Sequence, residues 1–186
     1  MAVSVKDRRM GGFSELGLGR AASFAGMLLL AVAIQSTLLA QATVLGVIPQ
    51  LVLVVVVSLA FLDGERVGTV VGFFGGLLID TLLPGAIMGL TALIFTLIGY
   101  GVGLLRYMAP PDSVWTPVLT VAGASAVAEL GYASLAIIMG QRWVSLEETV
   151  KIAGLVVLYN TLLTPFVFPL VKRVADRFRP ERVIRL

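Results

Sequence analysis

The run Val67-Gly68-Thr69-Val70-Val71-Gly72-Phe73-Phe74-Gly75-Gly76-Leu77-Leu78-Ile79-Asp80-Thr81-Leu82-Leu83 decides the fold. It is apolar or small almost throughout and carries one carboxylate, Asp80. A charge inside such a run is expensive in lipid and is expected to face protein. Gly68, Gly72 and Gly76 recur every fourth residue, and Asp80 continues the stripe one turn further, so all four share one helix face. A glycine face lets a second helix approach to backbone distance. The helix should break at Pro84 and Gly85.

The rest of the chain has the same character. Hydrophobic residues make up 58% of its 186 positions and charged residues 13%, with a mean hydropathy of +0.99, which excludes an ordinary soluble domain. At about 20 apolar residues per span, this length holds six membrane helices in one domain. Six segments stand out, at 21–44, 49–62, 67–83, 90–105, 114–139 and 152–171. The second is shorter than a bilayer requires, which predicts tilt, local thinning or a segment enclosed by the others. The predicted fold class is therefore all-α, a polytopic membrane bundle of six transmembrane helices.

Basic residues set the orientation. Lys6, Arg8, Arg9, Arg20, Arg66, Arg106, Lys172, Arg173, Arg177, Arg179, Arg182 and Arg185 fall on one side of a six-span chain, and only Arg142 and Lys151 on the other. Lysine and arginine beside spans are retained in the cytoplasm, so both termini are expected there. The chain then divides into a basic N-terminal segment (1–20), a membrane domain (21–171) and a basic C-terminal tail (172–186). The tail reads as a stop-transfer anchor or as a helix on the anionic inner leaflet. Ala40-Gln41-Ala42 resembles a signal-peptide cleavage site, but the apolar core before it is too long for one. Trp115, Tyr107 and Trp143 sit where interfacial anchors are expected.

The chain has no Cys and no His, which removes thiol chemistry, imidazole bases and the usual zinc, haem and iron–sulfur ligand sets. No nucleophile lies beside a base and no phosphate loop is present, so neither an enzyme nor a metal or cofactor site is expected. The sequence pI of about 9.6 reflects charges at segment ends, which suit a membrane surface rather than nucleic acid.

The remaining signals are polar or small residues inside spans. Gly99 and Gly103 repeat the small-residue spacing in the fourth segment, which points to close packing against the third. These glycines and Asp80 serve either helix packing or the docking of a partner. Glu129 lies deeper than Asp80 with no basic residue placed to neutralise it, so its partners should be uncharged: Gln35, Ser36, Thr37, Ser125, Tyr132 or Asn160. Ser125, Glu129 and Tyr132 share one face of the fifth segment. The seam is read either as interhelical packing or as a cavity wall. Pro165 and Pro169 are expected to bend the sixth segment.

The order of these features resembles a known family. Gln35-Ser36, Ile48-Pro49-Gln50, the run from Val71 to Asp80, Gly89-Leu90, Gly99-Tyr100, Tyr159-Asn160-Thr161-Leu162-Leu163-Thr164-Pro165 and Phe168-Pro169-Leu170 together resemble the bacterial rod shape-determining MreD family, over residues 22–173. Relatives more often have an acidic residue after Pro49, where this chain has Gln50. The resemblance implies a non-enzymatic inner-membrane component of the cell-elongation machinery. It would act with the bitopic protein MreC, the MreB filament and a peptidoglycan glycosyltransferase and transpeptidase pair, in contact with membrane lipid. It also implies a likeness in architecture to the substrate-binding subunits of energy-coupling-factor transporters. The alternative function is such a vitamin-binding subunit, with a cavity lined by Gln35, Glu129, Tyr132 and Asn160.

Overall fold

The computed structural model describes residues 17–41, 46–82, 87–108, 115–140 and 145–178. The breakers Pro84, Gly85, Pro110 and Pro111, the anchor Trp143 and most of the two terminal segments lie outside the described residues. Among those described there are six α-helices: α1 (Leu18–Ile34), α2 (Leu51–Asp63), α3 (Glu65–Leu82), α4 (Leu90–Leu105), α5 (Trp115–Ile138) and α6 (Leu146–Arg177). A π-helical turn, Gln35–Leu39, extends α1, and a 3-10 turn, Arg106–Met108, follows α4.

Four of these helical segments are long and apolar enough to cross a membrane: Gly19–Leu39, Leu90–Met108, Trp115–Ile138 and Glu147–Arg177. They carry large apolar side chains on their outer faces, among them Leu30, Leu97, Leu119, Leu162 and Phe166, all more than half exposed. Lipid is the solvent that makes such faces stable. Helix α3 has 18 residues but includes Glu65, Arg66 and Asp80. Helix α6 has 32 residues, about 48 Å at the α-helical rise, so it outruns a hydrocarbon core of about 30 Å. It continues without interruption through Pro165 and Pro169.

Helix α2 is the core. It has 13 residues, about 20 Å of helix, and every residue from Leu51 to Ala60 is buried. It touches all five other helices. Of the three explanations for a short span, enclosure within the bundle is what the structure adopts. A helix apolar on every side belongs in a protein core or in lipid, and at this length the core suits it. Gly64, at φ 90°, ends α2 and reverses the chain directly into α3, a backbone conformation that only glycine adopts readily.

Helices α3 and α4 form an antiparallel pair in backbone contact. Built onto Gly68, a Cβ would strike the Gly99 carbonyl, and one on Gly99 would strike Gly68. Gly72 faces the carbonyl of Phe95, Gly76 faces Ala92, and Gly103 faces Glu65. The glycine stripe is thus filled by the chain's own backbone. Gly75 serves the other side of α3, where Leu28, Val52 and Val56 lie 3.2–3.3 Å from the position of an added Cβ.

One end of the bundle is tied by charge. Arg20 Nη2 lies 2.5 Å from Asp63 Oδ1, and its guanidinium stands 5.5 Å from the Phe24 ring centroid. Tyr107 donates from its hydroxyl to Glu65 Oε2 at 3.2 Å. Arg20, which the sequence offers only as a topology signal, therefore also joins the start of α1 to the end of α2.

The glycine contacts yield a paired test. Gly99→Ala should destabilise the bundle by about 1–3 kcal/mol, the cost of overpacking. At Gly101 an added Cβ meets nothing within 4 Å, so Gly101→Ala should be neutral or stabilising by up to about 1 kcal/mol through helix propensity. Unfolding in mixed micelles measures both.

Candidate functional site

A helix start leaves its first N–H groups without partners in the helix, and where packing buries them the protein must supply the acceptors. Helix α2 begins in this situation, at Gln50, with Pro49 before it and no cap from its own side chain. The polar residues singled out in the sequence converge here. Gln50 donates its backbone N–H to Asn160 Oδ1 at 2.9 Å, and Val52 donates its N–H to Gln35 Oε1, also at 2.9 Å. Asn160, fully buried, donates from Nδ2 to Ser125 Oγ at 2.9 Å. Side chains from α6 and the π-helical turn thus close the start of α2, and Ser125 of α5 holds Asn160 in place.

Glu129 joins the same cluster by a different partner from those expected. Its Oε1 accepts a hydrogen bond from Gln50 Nε2. Ser125, one turn away on α5, turns to Asn160 instead. Gln50 is the residue that sequence reasoning missed, having set it aside as a departure from a family pattern. Its place directly after Pro49, just ahead of the apolar run of the second segment, was the available signal.

Asp80 performs the corresponding task for α4. It is 5% exposed, and its carboxylate accepts from the N–H groups of Gly89 (2.9 Å), Thr91 (3.3 Å) and Ala92 (3.1 Å). Gly89 precedes α4 at φ 91° and contributes no side chain. The cap therefore comes from the neighbouring helix, and the negative charge sits at the positive end of the α4 dipole.

Between these two helix starts lies a cavity of about 500 Å³. Its walls include Gln35, Gln50, Thr91, Glu129 and Tyr132 among apolar residues such as Val32, Ile79, Ile94 and Phe95. Gln35, Glu129 and Tyr132 take the places foreseen for a cavity. Asn160 does not line it, because both ends of its amide are engaged with Gln50 and Ser125.

A second concavity is a groove of about 770 Å³ along α4 and α5, lined by Leu97, Gly101, Leu105, Gly123, Val127 and Gly131 among others. At each of those glycines an added Cβ meets nothing within 4 Å. The hydroxyls of Thr120 and Ser134 bond to carbonyls of their own helix. The groove is therefore apolar in character. Among the described residues no group of three or more His, Cys, Asp or Glu is placed to hold a metal ion.

The family of the rod shape-determining protein MreD matches residues 19–174, from the start of α1 nearly to the end of α6. The chain belongs to the MreD family. Membership makes it a membrane protein concerned with rod shape, and it places Gln50, Asp80, Glu129 and Asn160 within the family's own extent. No curated protein and no solved structure gives a significant match. The likeness to energy-coupling-factor transporter subunits therefore stays an expectation of the resemblance.

If Asn160 acts as the cap of α2, Asn160→Leu leaves a buried N–H unpaired and should cost about 1–3 kcal/mol. Ser134→Ala, which removes a hydroxyl bonded only within α5, should stay within about 0.5 kcal/mol of the parent. Unfolding by denaturing detergent in mixed micelles would separate the two.

Proposed function

We propose that this MreD-family protein is a non-enzymatic component of the bacterial inner membrane that supports cell elongation and peptidoglycan synthesis by binding an MreC-type bitopic partner. MreB and the glycosyltransferase and transpeptidase pair would be reached through that assembly. The observation that carries this reading is the family match over residues 19–174. The use made of the polar residues supports it: Gln35, Asp80 and Asn160 are engaged in closing helix starts.

The glycine stripe of α3 is occupied by α4, so partner docking is assigned to the α4–α5 groove rather than to Gly68, Gly72 and Gly76. From Thr116 to Leu135 the groove runs along about 28 Å of helix, close to the hydrocarbon thickness of about 30 Å. An apolar trough of that length lined by small residues suits one transmembrane helix of a bitopic protein. Gly123→Leu and Gly131→Leu should leave the bundle folded, because open space surrounds both positions. They should sharply reduce co-purification of MreC and round the cells of a rod-shaped host that depends on this chain. Normal recovery of MreC with both variants would overturn the assignment of the groove.

In this reading α2 and α3 complete six crossings, with α2 inside the bundle, and both termini lie in the cytoplasm. Segments 1–20 and 172–186 flank the membrane domain at 21–171. The chain has no Cys, so single cysteines report topology cleanly. A cysteine at Met88, 69% exposed, should react with an impermeant maleimide in intact spheroplasts. One at Phe178, 42% exposed, should react only after lysis.

A further inference from the structure

The cavity between the starts of α2 and α4 has a chemistry that the scaffold reading does not use. Its volume of about 500 Å³ falls in the range of small-molecule sites, and its make-up, apolar walls with a few converging polar groups, is that of such sites. Glu129 is the one charged residue among its lining residues. Among the described residues no Lys or Arg lines it, and the chain has no His.

The polar atoms are unbalanced. The Gln50 amide gives its Nε2 to Glu129 Oε1, while its own Oε1 is shut away from solvent with no hydrogen-bond partner. Glu129 brings two acceptor oxygens. Neighbouring polar groups are committed elsewhere, Gln35 Oε1 to the Val52 N–H and Asp80 to the start of α4. The donors that line the cavity, among them Gln35 Nε2 and the Tyr132 hydroxyl, are all uncharged. An anionic ligand would meet a carboxylate with no cation beside it, and a purely apolar one would leave the acceptors unmet. A cationic donor on an apolar stem complements both the cluster and the walls.

We propose that this cavity binds an amphiphilic amine. Its primary ammonium, with three donors, would bond Glu129 and, once the Gln50 amide swings away from that carboxylate, Gln50 Oε1. Its hydrocarbon stem would lie against Ile79, Ile94 and Phe95. This site goes beyond the scaffold reading and does not depend on it.

The test uses the full chain in neutral maltoside micelles, with decylammonium, decanol and butylammonium as probes, read by calorimetric titration and by thermal unfolding. Decylammonium should bind and raise the unfolding temperature, with an affinity at least about tenfold above that of decanol, the advantage of a charge-assisted hydrogen bond. Butylammonium should bind weakly for lack of a stem. Glu129→Gln should erase the preference for amine over alcohol. Ala40→Phe should block both long-chain probes while leaving the hydrogen bonds in place, since Ala40 lines the cavity and is itself exposed. Equal affinity for decylammonium and decanol, equal affinity for the two amines, or amine binding unchanged in both variants would overturn the proposal. Since no partner protein is present, such a failure leaves the scaffold reading untouched.

Discussion

Backbone N–H groups at a helix start must find acceptors, and where packing buries them those acceptors must come from the protein. That constraint organises this molecule. Helices α2 and α4 both start beneath neighbouring helices, and neither carries a capping side chain of its own. The acceptors come from elsewhere in the chain: Asn160 and Gln35 for α2, and Asp80 for α4. Asp80 reaches across a short turn to Gly89, whereas Gln50 and Asn160 lie 110 residues apart. The bonds that complete the helices thus also hold the bundle together.

Packing reinforces the same arrangement. Alternating glycines let α3 and α4 meet at their backbones, where dispersion contacts replace the hydrophobic drive that lipid removes. The hairpin so formed places Asp80 beside the start of α4 without a long loop. Around it, α2 is enclosed on every side, so a helix too short to cross the bilayer by itself becomes the hub against which the others pack. The Arg20–Asp63 ion pair closes the opposite end of α2.

Function divides along the same lines. The polar groups at the two helix starts are mostly consumed by structure, which fits a protein whose family is concerned with rod shape. The described residues leave concavities on both sides of α4. The α4–α5 groove is apolar and follows the helix axes, while the cavity beside Glu129 combines apolar walls with one buried acceptor, Gln50 Oε1, that has no partner.

Composition and periodicity were sufficient for a helical membrane protein, because hydropathy and the spacing of glycines are local properties of the chain. The shared face of Gly68, Gly72, Gly76 and Asp80 was legible for the same reason. The sequence likewise marked Gln35, Ser125, Glu129 and Asn160 as polar residues that must face protein. Their partners were not legible, since hydrogen bonds across three helices depend on register and rotation, which no single segment encodes. Hence Glu129 pairs with Gln50 rather than with Ser125, Asn160 caps a helix rather than lining the cavity, and Arg20 meets Asp63. Only the tertiary structure decided that α2 lies at the centre, because enclosure is a property of all its neighbours together.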